Sequence, residues 1–266
     1  MKEYEYIKAI KDIVDTDQNL IGDDTAIIKD SGLVMTCDTL VEGTHFRLET
    51  TSAYDLGYKA IAVNLSDIAA SGGVCSYLLV SVAMPKNLSL DFIQELYKGM
   101  HSIAVEFDAQ IVGGDLACCD KVVITVTAIG KTNVHSSRAF AQKNDRILVT
   151  GLHGASLIGL KALEALRLRI YSQTIRKKYA SEIALATDYH LKPLPRIKEV
   201  QEILSLTQKN QYCLMDTSDG LADALYQISE RSQKQLVVDT AKIPFDKNLS
   251  SLMELNLFSE VEAALY

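Results

Sequence analysis

The sequence predicts an α/β (α+β) protein built from two αβ lobes, and three observations predict it. Short runs rich in Val, Ile and Thr alternate with segments of helical periodicity over the first 130 residues. A polar stretch without a clear period, residues 130–144, interrupts that alternation. A second αβ pattern then begins, which places the two lobes at 1–130 and 144–266.

The elements follow in order. Residues 32–38 read as a strand, 53–70 as a helix and 77–84 as a strand. Ser89 is an N-cap for a helix over about 90–106, where Leu90, Ile93, Leu96, Tyr97 and Met100 recur near helical spacing. Residues 110–112 and 122–129 are strand-like. Beyond the connection, 146–150 reads as a strand, 155–168 as a helix after a glycine-containing turn, 212–215 as a strand and 218–231 as a helix. The αβ alternation is too loose to count as a sequence repeat.

Bulk properties exclude several classes of function. A chain of 266 residues, 48% hydrophobic and 23% charged, has apolar surface for one large core or two smaller ones. Its longest apolar stretches, 77–84 and 122–129, fall well short of the roughly 20 residues that cross a bilayer. No membrane span is expected. The start, Met1-Lys2-Glu3-Tyr4-Glu5-Tyr6, carries acids where a secretory leader has a basic segment, so a cytoplasmic protein is expected. Cys37, Cys75, Cys118, Cys119 and Cys213 show no Cys-x-x-Cys spacing and are expected to be reduced, mostly buried thiols. A net charge of −7 and a pI near 5.3 argue against nucleic acid as the partner. Phosphate substrates remain open, because divalent cations can stand between two sets of negative charge.

Acidic residues recur where strand-like runs give way to glycine- or serine-containing turns: Asp23 and Asp24, Asp38, Asp67, Asp115, Asp216 and Asp219. Each by itself is also an ordinary turn or N-cap residue. Gathered at one edge, seven carboxylates would repel one another unless cations neutralised them. Magnesium, a hard ion that uses one or two carboxylates along with water and phosphate oxygens, suits that need. Familiar nucleotide motifs are absent. Gly130-Lys131-Thr132 resembles the end of a P-loop, but the earlier glycine falls on Thr125, and Gly151-Leu152-His153-Gly154 gives no Gly-x-Gly-x-x-Gly.

Five segments carry a specific resemblance. They are Gly22-Asp23-Asp24-Thr25-Ala26, the run 38–46 from Asp38 through His45 to Phe46, the run 59–70 containing Asn64-Leu65-Ser66-Asp67, Gly113-Gly114-Asp115, and Asp216-Thr217-Ser218-Asp219-Gly220-Leu221. In this order they resemble the signature motifs of thiamine-monophosphate kinases, which belong to the superfamily of aminoimidazole ribonucleotide synthetase and bind ATP without a P-loop. The resemblance implies that superfamily's fold and transfer of a phosphoryl group from ATP to thiamine monophosphate, giving thiamine diphosphate. It implies several magnesium ions held by Asp24, Thr36, Cys37, Asp38, Asp67, Asp115, Asp216 and Asp219. Gly114, Asp115, Arg138 and Ser218 would contact ATP, and His45 would lie against the substrate.

No covalent or general-base residue is expected, since the acceptor is a phosphate oxygen already largely ionised near neutral pH. A homodimer joined through the N-terminal lobes is implied as well. In the family a Gly-Gly-Glu-Asp-Tyr motif follows a run like residues 261–266, so the second lobe is expected to be incomplete and to lack an acidic substrate contact. The competing reading is a catalytically impaired or repurposed ATP-binding protein of the same superfamily.

Overall fold

The structure is a computed structural model that describes residues 3–14, 21–255 and 265. The N-terminal half is one five-stranded sheet with two long helices packed on it. In chain order come α1 (Glu3–Val14), β1 (Ala26–Ile28), β2 (Leu33–Val41), α2 (Ala53–Ala70), β3 (Val74–Met84), α3 (Leu90–Glu106), β4 (Gln110–Cys118) and β5 (Val123–Lys131). The strand order is β1-β2-β5-β3-β4, antiparallel except for the parallel β3–β4 pair.

Local chemistry explains the two long helices, which match the sequence reading at both ends. Ser52 and Ser89 cap them, their hydroxyls accepting from the amides of Asp55 and Phe92. Their apolar faces then bury Leu56, Ile61, Leu65 and Ile68 from α2, with Leu96, Met100 and Ile103 from α3, against Val34, Val80, Val82, Ile124 and Val126 of the sheet. Side chains on β2 alternate, so Val34 and Leu40 are buried under the helices while Cys37 and Thr39 face away. The opposite face of the sheet is uncovered. Tyr77 and Leu79 are exposed on it, joined by Ser81, Thr125 and Asp115.

The C-terminal half is helical: β6 (His135–Ser136), α4 (Ala155–Arg167), α5 (Gln173–Lys178), α6 (Ala180–Leu191), α7 (Ile197–Thr207), β7 (Gln211–Tyr212) and α8 (Leu221–Ser232). Ile158 and Ala162 of α4, Ile183 and Ala186 of α6, and Leu249 and Leu252 form a second core. Helix α7 instead sends Ile197 and Val200 into the first core, which locks the two halves together. Among the described residues no helix is long and apolar enough to cross a membrane.

Three sequence expectations need correction. Residues 146–150 form no strand, and Leu148 is 73% exposed, because none of the described residues pairs with their backbone. The strand expected at 212–215 shrinks to the two-residue parallel pairing of β7 with β6. The thiols are not mostly buried: Cys75 is, but Cys37 lies on the uncovered sheet face, and Cys118 and Cys119 are exposed at the end of edge strand β4. Helices α1, α5, α6 and α7 carried no sequence expectation. The lead-in expected at 261–266 falls outside the described residues apart from Leu265.

A deep groove of about 2980 Å³ runs between α2 and the C-terminal half, with Lys59, Ser66, Ser156, His190, Asp216 and Ser218 among its lining residues.

Candidate active site

Three elements far apart in sequence bring carboxylates together beside the part of this groove lined by Ser66 and Asp216. Asp24 follows the Gly22-Asp23 turn, Asp67 lies in α2 and Asp216 lies in the loop before α8. One oxygen from each lies within 4.8 Å of the others. Asp38 projects from β2 toward α2, since it shares the face of Val34 and Leu40, and it raises the pKa of both Asp67 and Asp216. Asp219 in turn acts on Asp38. The expectation that these acids sit in turns after strands holds for Asp216 and Asp219, in the loop after β7, but not for Asp23 and Asp24, which lie in a bend before β1. Asp38 and Asp115 are inside strands and Asp67 is inside a helix.

Neighbouring groups fix the carboxylates. Thr36 Oγ1 donates to Asp67 Oδ2 at 2.7 Å, and Ser66 Oγ donates to Asp216 Oδ2 at 3.0 Å. Asn64 is fully buried; its Oδ1 accepts from the Asp38 amide at 3.1 Å and its Nδ2 donates to the Ala60 carbonyl at 3.0 Å. Sequence reasoning did not single out Asn64 or Ser66 as functional. Their signal was the i, i+2, i+3 run Asn64-Leu65-Ser66-Asp67, which puts three polar groups on a helix otherwise buried in apolar surroundings.

Burial dominates the electrostatics. It pushes the Asp67 carboxyl up to about 8, aided by Asp38 and Asp216, while the Thr36 hydrogen bond opposes it. Asp24 rises to about 6, again by burial, although Arg138 pulls it down. Asp38 and Asp216 are raised for the same first reason. Among the described residues Arg138 is the cation paired with the cluster: Nη2 donates to Asp24 Oδ1 at 2.8 Å and Nη1 to Gln227. Its amide and the Ser137 hydroxyl both donate to Asp23 Oδ1, at 2.9 and 3.2 Å. Arg138 Nε is buried with no partner among the described residues, so the guanidinium keeps a donor for a ligand.

The donor set fits magnesium. Hard carboxylate oxygens converge, partly buried, and their mutual repulsion is relieved either by protonation or by a bound cation. A consequence for stability follows. The folded state holds the Asp67 proton up to about pH 8, whereas an unfolded Asp releases it near 3.8, so the folded form binds more protons across that interval. Stability without divalent ions should therefore fall as pH rises from about 4 to about 8. Thermal melts across that range, with and without magnesium, check this: magnesium should raise Tm much more at pH 8 than at pH 5.

Of the other expected site residues, Ser218 touches the cluster and the rest lie apart from it. His45 is exposed, its Nδ1 accepting from the Val41 amide at 2.9 Å, and it lines a small pocket of about 140 Å³ with Arg47, Glu164, Arg167 and His190. It is close enough to Asp38 to lower that carboxyl's pKa. Ser218 Oγ lies 3.4 Å from Asp216 Oδ1. Gly114 shares a row with Asp38 across the sheet, through Val126 and Val80, so three strand spacings of about 4.8 Å separate them. Asp115, opposite Ser81, points to the uncovered face, as does the Cys37 side chain. Neither reaches the carboxylate cluster within one chain.

Comparison with known proteins identifies the family. Residues 22–132 match the family described as AIR synthase related protein, N-terminal domain. A thiamine-monophosphate kinase of Bacillus subtilis is 36% identical over 242 residues, which cover 87% of this chain and 70% of that one. Its counterpart in Synechococcus elongatus is 34% identical, with coverage of 84% and 68%. The solved structure of AaThiL complexed with AMPPCP and TMP superposes with a TM-score of 0.87 at 30% identity, covering 100% of this chain and 82% of that one. With the identity extending through the second half, the chain belongs to the thiamine-monophosphate kinase family.

Proposed function

We propose that this kinase transfers the γ-phosphoryl group of ATP directly to the phosphate of thiamine monophosphate, giving thiamine diphosphate. The observation that carries the proposal is the convergence of Asp24, Asp67 and Asp216 next to Arg138 in a chain of this family. The names of its relatives and the AMPPCP and TMP bound in AaThiL support the same reaction here.

The difficulty of the reaction is electrostatic, because two anionic phosphates must approach in line. Magnesium ions, when bound, would neutralise the charge that develops on the phosphates. The assigned holders are Asp24, Asp38, Asp67, Asp216 and Asp219, with Thr36 orienting Asp67. Main-chain oxygens near Thr36 and Cys37 are included in that assignment. Arg138 swings its guanidinium between Asp24 and the ATP phosphates, with Ser218 beside it, and His45 meets the acceptor. No residue needs to remove a proton from an acceptor that is already ionised.

Gly114 and Asp115 are assigned to ATP and metal across a homodimer. The uncovered sheet face, with Tyr77 and Leu79 exposed on β3 beside edge strand β4, supports pairing of two such sheets. Pairing would bring one protomer's Asp115 toward its partner's cluster. Leu79→Lys should therefore give a monomer by analytical ultracentrifugation and lose activity with it. A persisting dimer would remove this account of Asp115. Residues 1–130 and 144–266 are assigned as the two lobes, and the cytoplasm as the compartment.

Incubating the protein with ATP, magnesium and thiamine monophosphate and measuring thiamine diphosphate tests the proposal. Binding of Mg-ATP without product would favour an impaired or repurposed nucleotide-binding protein.

A further inference from the structure

Lys59 is a half-buried cation lining the groove, and the carboxylate cluster makes no use of it. It lies on α2 two turns before Ser66, so the two share a face about 10 Å apart along the helix. No carboxylate among the described residues pairs with it. Its one hydrogen-bond partner is His190 on α6, with Nζ 3.5 Å from Nε2. His190 Nδ1 lies 3.1 Å from Ser156 Oγ, in the first turn of α4.

The direction of this chain of contacts follows from the groups themselves. An ammonium can only donate, so His190 accepts at Nε2 and carries its proton on Nδ1, which donates to Ser156. Burial and the neighbouring Lys59 push the His190 pKa down to about 4, so the ring stays neutral. The Ser156 hydroxyl hydrogen and two ammonium hydrogens of Lys59 are left to point at the groove. Helix α4 begins at Gly154 with no side-chain cap, adding free amide donors at the same place. The cluster offers donors and positive charge and no acceptor of its own. Burial alone pulls the Lys59 pKa down to about 8, so the site pays for a cation that no carboxylate among the described residues compensates.

Position decides which anion fits. His190 lines both the large groove and the small pocket that holds His45. The Lys59 cluster therefore lies between the residue assigned to the body of the acceptor and the carboxylates assigned to the donor's metal ions. We infer that Lys59, held by His190 and assisted by Ser156, binds the phosphate of the acceptor and aligns it for attack. This rests on the kinase reading above and names a second anion site distinct from the carboxylate cluster. Because the cluster touches the phosphate and not the organic part, it selects phosphorylated over unphosphorylated acceptors.

The test compares wild type, Lys59→Met and Lys59→Arg. KM for thiamine monophosphate should rise at least tenfold in Lys59→Met, with KM for Mg-ATP within twofold of wild type, and Lys59→Arg should recover much of the loss. In competition binding, the preference of wild type for thiamine monophosphate over thiamine should collapse in Lys59→Met. An unchanged preference, or a rise in both KM values together, would overturn the inference and leave Lys59 a packing residue. Inorganic phosphate without magnesium provides a readout free of turnover: it should raise Tm of wild type and not of Lys59→Met. If wild type makes no thiamine diphosphate yet shows that difference, the kinase reading fails and the anion site stands. Equal stabilisation of both proteins by phosphate would remove the site itself.

Discussion

Asp67→Asn is expected to abolish thiamine diphosphate formation while leaving the fold intact. The amide is isosteric, and its oxygen can still accept from Thr36, so the packing of α2 against β2 is kept. What disappears is the charge at the centre of the cluster, the carboxyl on which Asp24, Asp38 and Asp216 all act. Loss of one preorganised electrostatic group of this kind lowers kcat on the order of 10³-fold. The substitution should also flatten the pH dependence of apo stability and reduce the thermal shift produced by magnesium, because part of the native repulsion is gone. Turnover near the wild-type level would show that the carboxylates at this groove are not the ones that hold the ions.

The largest effect on stability is expected at the crossing of α2 and α3. Gly57 and Gly99 face each other's helix there. A Cβ on Gly57 would stand 1.9 Å from the Leu96 carbonyl oxygen, and one on Gly99 would stand 1.9 Å from that of Tyr54. Both obstacles are backbone, so rotamer changes cannot relieve them and the helices must move apart. That separation would loosen Leu56, Leu65, Leu96 and Met100, all of them fully buried. Gly99→Val should cost about 3 kcal/mol or more, the upper range for overpacked cores. In a domain of this size Tm should fall by roughly 6–12 °C. Since α2 also carries Asn64, Ser66 and Asp67, any folded fraction should bind magnesium more weakly. A melt within 2 °C or so of wild type would show that the interface yields more easily than close-packed backbones do.

Much of the N-terminal half was legible in the sequence because its signals are local. Helices α2 and α3 have serine caps and an apolar period that together fix both ends, and β2, β3 and β5 are dense in β-branched residues. The C-terminal half was less legible. The stretch 146–150 has strand composition but no paired backbone, and composition cannot supply a partner. Helix α6 has no clean apolar stripe, whereas α7 has one in Ile197, Val200, Ile203 and Leu204 that the sequence reading passed over. Val200 and Ile197 are buried because α7 docks on the first core, an arrangement no local pattern announces.

The sequence by itself determined which residue types are available for chemistry: the five segments with their aspartates, the absence of a P-loop and the family resemblance. Tertiary structure alone decided which of them act together. Ser66 and Asp216 are 150 positions apart and hydrogen-bonded, and Lys59 meets His190 across 131 positions. It also put Asp38 and Asp115 on opposite faces of one sheet, which separates acids that the sequence reading had placed together. The physical reason is that charge regulation depends on burial and on distances of a few ångströms, and both are set by packing between segments remote in the chain.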